Sequence, residues 1–139
     1  MKYLIIGLGN FGKTLAEELT DRGNDVIGVD QNEHRVDAVK DRISLAYILD
    51  ATERTALSAL PLDEVDCTIV AIGQSMDASL RTVAALKELS VKCIYARAID
   101  QTHQSILGAM NIQKIFIPES YAACIYAERF SNMEKKNGL

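Results

Sequence analysis

The sequence predicts an α/β fold, a doubly wound parallel sheet of six strands. Three observations carry this reading. Apolar runs of strand length alternate with helical patterns from end to end. Most of those runs are continuously apolar or β-branched, as strands covered on both faces of a parallel sheet must be. The connections are only a few residues long, so right-handed crossovers wind helices onto both faces.

The first strand is read at Lys2–Ile6, and the run Gly7-Leu8-Gly9-Asn10-Phe11-Gly12 follows it. Each glycine there has a separate job. Gly7 permits a tight turn out of the strand. Gly9 lacks the Cβ that would hold a pyrophosphate off the backbone. Gly12 lets the next helix lie close to the sheet. That helix, read at 10–22, places Phe11, Leu15, Ala16 and Leu19 on one stripe and ends at Gly23. Its first turn offers free N–H groups and a partial positive charge. The second strand, 25–29, leads into Asp30, eighteen residues after Gly12. A carboxylate there accepts hydrogen bonds from ribose hydroxyls and repels a 2′-phosphate, which favours NAD or an adenine mononucleotide over NADP.

The second helix is read at 33–40, with Asn32 as its N-cap and Arg35 facing solvent. A third strand at 45–49 ends in Asp50-Ala51-Thr52-Glu53. Either Asp50 or Thr52 caps the third helix (53–60, stopping before Pro61), or Asp50, Ala51 and Thr52 surround an adenine and its ribose. The fourth strand, 67–71, closes on Ala71-Ile72-Gly73, small enough for a nucleotide to approach the backbone. The fourth helix, 75–89, carries Met76, Leu80, Val83, Ala84 and Leu89 on its inner side. A fifth strand at 92–96 precedes Arg97, read either as positive charge near phosphates or as the partner of Asp100 or another surface acid. A fifth helix at 101–110 and a short sixth strand at 114–117 complete the pattern. The natural strand order is 3-2-1-4-5-6, with a ligand beyond the C-terminal ends of strands one and four.

Residues 118–139 read differently. Pro118 suits a first helical turn and Glu119 complements its dipole. The stretch from Tyr121 to Ala127 is apolar around the whole helical circumference. One side is expected to pack on the sheet and the other on a partner, most simply a second copy of the chain. After Phe130 the sequence turns polar. The division expected is therefore a nucleotide-binding core at 1–117 and a dimer-contact helix with a polar tail at 118–139.

Bulk composition narrows the function. With 139 residues there is room for one well-packed domain, 48% of it hydrophobic and 24% charged. Fifteen basic residues against nineteen acidic ones give a net charge of −4 and no basic block, against a nucleic-acid or anionic-membrane surface. No apolar run is long enough to span a bilayer, and Met1-Lys2 leads straight into a strand, leaving no room for a signal peptide. Cys67, Cys93 and Cys124 lack metal-site spacing and read as buried free thiols. Catalytic groups are scarce. His34 and His103 read as surface residues, no Tyr–Lys pair of the carbonyl-reductase kind is present, and Lys13 follows Gly12 without the phosphate-loop spacing. A non-enzymatic binding module is the expected class. The cofactor half of an NAD-dependent oxidoreductase is the alternative, resting on Asp30.

The segments at 5–12, 26–30, 50–53, 70–73 and 117–119 together, in order and at matching spacing, resemble the RCK domain, also called KTN or TrkA-N, closest to the Ktr/TrkA type. The resemblance implies a Rossmann-like fold with a C-terminal dimerisation helix. It implies a cytoplasmic regulator at the inner face of the membrane that binds ATP, ADP or NAD(H) and gates a potassium channel or transporter. Its partners would be a second copy, in many systems an octameric ring, and a membrane subunit. By position it implies phosphate contacts at Gly7, Gly9, Asn10, Phe11 and Gly12, and ribose contact at Asp30. Adenine-side contacts fall at Asp50, Ala51 and Thr52, and closing contacts at Ala71, Ile72 and Gly73. Arg97 stands where relatives often carry a base facing the phosphates, and Glu119 where some carry an acid near the nucleotide and a bound cation. The chain departs from the Ktr-type pattern in having Asn10 where arginine is frequent, which weakens the expected grip on a terminal phosphate. Full-length subunits usually continue into a second ligand-binding domain, so this sequence reads as a fragment or a minimal form.

Overall fold

The computed structural model describes residues 1–136. Six strands form one all-parallel sheet in the order β3-β2-β1-β4-β5-β6: β1 (Lys2–Ile6), β2 (Asp25–Asp30), β3 (Leu45–Ile48), β4 (Cys67–Val70), β5 (Ile94–Arg97) and β6 (Lys114–Phe116). Five helices wind around it: α1 (Asn10–Asp21), α2 (Glu33–Val39), α3 (Arg54–Ser58), α4 (Met76–Glu88) and α5 (Gln101–Ala109). This is the expected Rossmann-like arrangement, and the element ends fall within a few residues of their sequence-based positions.

The two-residue period of a strand divides the core between the faces. Ile5 and Val26 join Leu8, Ala16, Val36 and Val39 under α1 and α2. Leu4, Ile6, Ile27 and Val29 join Leu57, Val83, Leu86 and Leu107 under α3, α4 and α5. Gly28, on the α1 side of β2, leaves the room that Leu8 and Ile43 occupy; a Cβ there would lie 2.8 Å from Ile43 Cδ1. Asn32 caps α2 as expected, accepting from the His34 and Arg35 N–H groups. Gly23 adopts φ +90° at the end of α1, a conformation that suits glycine.

The inner face of α4 differs from expectation. Ser79, Thr82, Val83, Ala85 and Leu86 are buried there, whereas Met76, Leu80, Ala84 and Leu89 lie half-exposed. His103 is also a correction: it is fully buried between α4 and α5, not on the surface. Its Nδ1 accepts the Ile99 N–H (2.9 Å), which leaves the ring proton on Nε2, 3.0 Å from Ser79 Oγ. The apolar setting pushes the imidazole pKa below its ordinary value, and the charge of Asp100 only partly opposes this. Protonation would break the Ile99 bond, so the fold holds the neutral form. The unfolded chain then binds more protons, and stability falls as pH drops below about 6.5. We expect His103→Asn to flatten the melting temperature between pH 7 and pH 5 relative to wild type; an unchanged slope would place the acid sensitivity elsewhere.

The thiols divide. Cys67 is buried and its pKa is pushed up to about 12, by desolvation first and by the neighbouring Cys93 second. Cys93 is half-buried and Cys124 exposed, against the expectation that all three are enclosed.

The last helix, α6 (Pro118–Lys136), begins at Pro118 as expected but packs neither side on the sheet. Beyond its first residue only Ile125 is half-buried among residues 119–133. Tyr121, Tyr126, Phe130 and Met133 are more than half exposed, with the Tyr126 and Phe130 rings stacked 5.8 Å apart. At β6, the strand that leads into it, both faces of the sheet are already engaged. On one face α5 packs on β6, and on the other Phe116 meets Phe11 at 5.7 Å between ring centres. The polar sequence after Phe130 continues the helix to Lys136, and the end of the tail lies outside the described residues. No helix among the described residues is long and apolar enough to cross a membrane.

Candidate functional site

Where the winding reverses, the chain leaves the adjacent ends of β1 and β4 toward opposite faces of the sheet, and a cleft of about 210 Å³ lies beyond them. The glycine turn forms its floor. Gly7 adopts φ +99° and passes so close to the end of β4 that a Cβ would lie 3.0 Å from Ile72 N. Gly12 sits directly over Gly7, and a Cβ on it would overlap the Gly7 carbonyl oxygen. Gly9 differs from both. Its backbone is extended (φ −69°, ψ −168°) and an added Cβ would meet no heavy atom within 4 Å. Nothing in the fold itself requires glycine there. Gly9 is also the N-cap of α1, and no side chain caps that helix. The first turn of α1 therefore keeps its unshared donors and positive dipole end uncapped, with Gly9 at the edge of the cleft.

Asp30 closes one side of the cleft. It is 8% exposed, and its carboxylate accepts the Leu8 N–H at 2.8 Å and the Asn32 N–H at 2.9 Å. It thus ties the glycine turn to the end of β2 as well as facing the cleft. Arg35, read from sequence as solvent-facing, instead lines the cleft with Nη1 3.7 Å from Asp30 Oδ2. The helical register of α2 carries it back over the strand end, a signal legible once Asn32 is fixed as the N-cap.

Asp50, Ala51 and Thr52 form the far wall. Neither Asp50 nor Thr52 caps α3, whose N-cap is Glu53 with no side-chain bond. Asp50 Oδ1 instead accepts from Thr52 N (3.0 Å) and Thr52 Oγ1 (2.7 Å), which fixes the turn against the cleft. Ala71, Ile72 and Gly73 line the opposite wall as expected. Sequence reasoning missed Gln31, Gln74, Ser75, Ala78 and Thr82, which also line it. Ser75, Ala78 and Thr82 follow one face of α4 at helical spacing, and no charged or glycine-rich pattern singled them out.

Asn10, Phe11, Arg97 and Glu119 do not line this cleft. They border a second, broader hollow that adjoins it at Gly73 and Gln74 and reaches the start of α6. Gly12 is buried and lines neither. Arg97 pairs with Glu119 and not with Asp100, which caps α5 by accepting the His103 N–H. The guanidinium lies 5.5 Å from the Phe11 ring centre. It takes the space that glycine leaves at position 73, where a Cβ would sit 2.6 Å from Nη1. The Glu119 carboxyl is held below the ordinary carboxylate pKa, first by its own backbone N–H and then by Arg97.

Comparison with known proteins agrees with this geometry. The TrkA-N domain model matches residues 3–118. The chain is 34% identical over 131 residues to the Ktr system potassium uptake protein A of Bacillus subtilis, covering 94% of this chain and 59% of that protein. This chain therefore spans under two thirds of that relative's length. Among solved structures it is similar to the NAD(P)-binding domain of an exopolyphosphatase-related protein from Archaeoglobus fulgidus (TM-score 0.80, 20% identity, 94% of this chain and 97% of that one). It is also similar to the GsuK channel bound to NAD (TM-score 0.72, 17% identity, 84% of this chain and 21% of that one). At those identities the solved structures speak for the fold, and the family follows from the sequence match: the chain belongs to the TrkA-N family.

Proposed function

We propose that this chain is a regulatory module that binds an adenine nucleotide, ATP, ADP or NAD(H), and controls a potassium channel or transporter. The observation that carries the reading is Gly9. A glycine the fold does not need keeps the open end of α1 accessible at the mouth of a cleft, where a diphosphate would meet free N–H donors. Gly7, Asn10, Phe11 and Gly12 build that end, Asp30 would hold the ribose, and Asp50, Ala51 and Thr52 would enclose the base. Ala71, Ile72 and Gly73 would close over the ligand, with Arg97 and Glu119 beyond its phosphates. The relative's name supports the ion, and the NAD-bound channel of the same fold supports the ligand class.

In this reading residues 1–117 are the nucleotide core, and 118–139 carry the contact with a second copy. The exposed Tyr126, Phe130 and Met133 along α6 support such a contact. Nucleotide occupancy would change the geometry between copies in a dimer or an octameric ring, and so act on a membrane subunit from the cytoplasmic side. A ligand drives such a change only by its preference for one geometry; tenfold is worth about 1.4 kcal/mol. An oxidoreductase reading finds less support. His103 has both ring nitrogens engaged away from the cleft.

The test is a melting-temperature panel with ATP, ADP, NAD and NADH, followed by solution scattering with each ligand that raises it. We expect stabilisation by at least one and different scattering profiles between ligands. No stabilisation by any of the four would remove the nucleotide site, and identical profiles despite binding would remove the switch.

A further inference from the structure

Thr82 presents a feature that the glycine turn and Asp30 do not account for. Its side chain is fully buried, it borders the cleft, and its Oγ1 has no hydrogen-bond partner among the described residues. A buried hydroxyl without a partner is costly, and native folds rarely keep one without a use. Helical threonines usually relieve the cost by bonding the carbonyl one turn back, but Thr82 does not. Ala78, one turn earlier on α4, also borders the cleft and presents only a methyl group there. Facing this side of α4 across the cleft are Leu49 and Ala51, apolar residues at the end of β3. The result is a slot with two apolar walls and one unused hydroxyl at its dry end. That suits a flat heteroaromatic ring with hydrogen-bonding atoms on its edge.

We propose that Thr82 is a specificity-determining residue that bonds the edge of the purine base. This rests on the nucleotide reading of the cleft and assigns the position within it that recognises the base. Oγ1 can donate to a ring nitrogen or accept from an exocyclic amine, so a six-membered pyrimidine, which is shorter, leaves it unpaired. Because the hydroxyl is closed to water in the free protein, the slot widens slightly as the base enters, and the bond forms in a site that stays dry.

Thr82→Val tests this, since valine keeps the shape and removes the hydroxyl. Thr68→Val is the control: Thr68 Oγ1 is also buried and unpartnered, but it lies in β4 and does not border the cleft. Affinities for ADP and UDP are measured by calorimetry on wild type and both variants, with the melting temperature of each free protein. We expect Thr82→Val to weaken ADP by about tenfold, to leave UDP unchanged, and to melt no lower than wild type when free. Thr68→Val should bind both ligands as wild type does. Equal ADP affinity in Thr82→Val and wild type would overturn the proposal, as would equal weakening of ADP and UDP, or a lower melting temperature of free Thr82→Val alone. Wild type that binds neither ligand would instead remove the nucleotide reading, and this assignment with it.

Discussion

Gly9→Asp is expected to weaken nucleotide binding on the order of a hundredfold while leaving the free protein at least as stable as wild type. The two halves of this expectation have separate causes. Position 9 is the N-cap of α1, its backbone is extended, and open space surrounds the place where a side chain would stand. Aspartate is a preferred N-cap residue, better than glycine by a few tenths of a kcal/mol. Its carboxylate also favours the positive end of the helix. Yet that carboxylate would occupy the position a diphosphate needs and would repel it. Losing the charge-assisted bonds from the first turn, worth about 1.5–3 kcal/mol, predicts weakening on the order of a hundredfold. Calorimetry with ADP and a thermal melt of the free variant read both halves. Retained affinity would mean the phosphates bind elsewhere. A large drop in melting temperature would mean Gly9 serves the fold after all.

Gly12→Ala has the opposite expectation, although it lies three residues away in the same motif. A single methyl group there would overlap the Gly7 carbonyl oxygen and stand 2.9 Å from its carbon. Both are backbone atoms, and Gly7 is itself pressed against Ile72, so neither partner can move away cheaply. The helix must lift from the sheet or the turn must distort. Overpacking of this kind costs about 3 kcal/mol, or roughly 10 °C in melting temperature for a domain of this size. Urea unfolding should show a lower midpoint with an unchanged slope. A midpoint equal to wild type would show that the α1–β1 contact is looser than the structure describes. Any loss of nucleotide binding in this variant would follow from the displaced turn, whereas in Gly9→Asp it would not.

Most of the fold was legible because its signals are local. Strand-length apolar runs, the Asn32 cap and the glycine turn each state their own geometry, and the parallel order follows from short right-handed connections. Much of the candidate cleft was legible for the same reason: Gly7, Gly9, Asp30 and Ala71 to Gly73 sit at strand ends, where connectivity alone places them. The residues misread or left open depend on what lies across from them. His103 has an unremarkable helical sequence context, and only the packing of α4 on α5 buries it against Ser79. Arg35 faces the cleft because α2 turns back over β2. Arg97 meets Glu119 because Gly73 leaves it a path, a relation among three separate segments. Thr82 reads as an ordinary helix residue until the cleft is seen to end against it.

The sequence by itself determined the architecture, the family and the place of the candidate cleft, since periodicity and glycine spacing act over short stretches of chain. Tertiary structure decided which polar side chains are buried, which charges pair, and that α6 stands clear of the sheet. Burial and pairing depend on distances between residues far apart in the chain, and no local pattern encodes those distances.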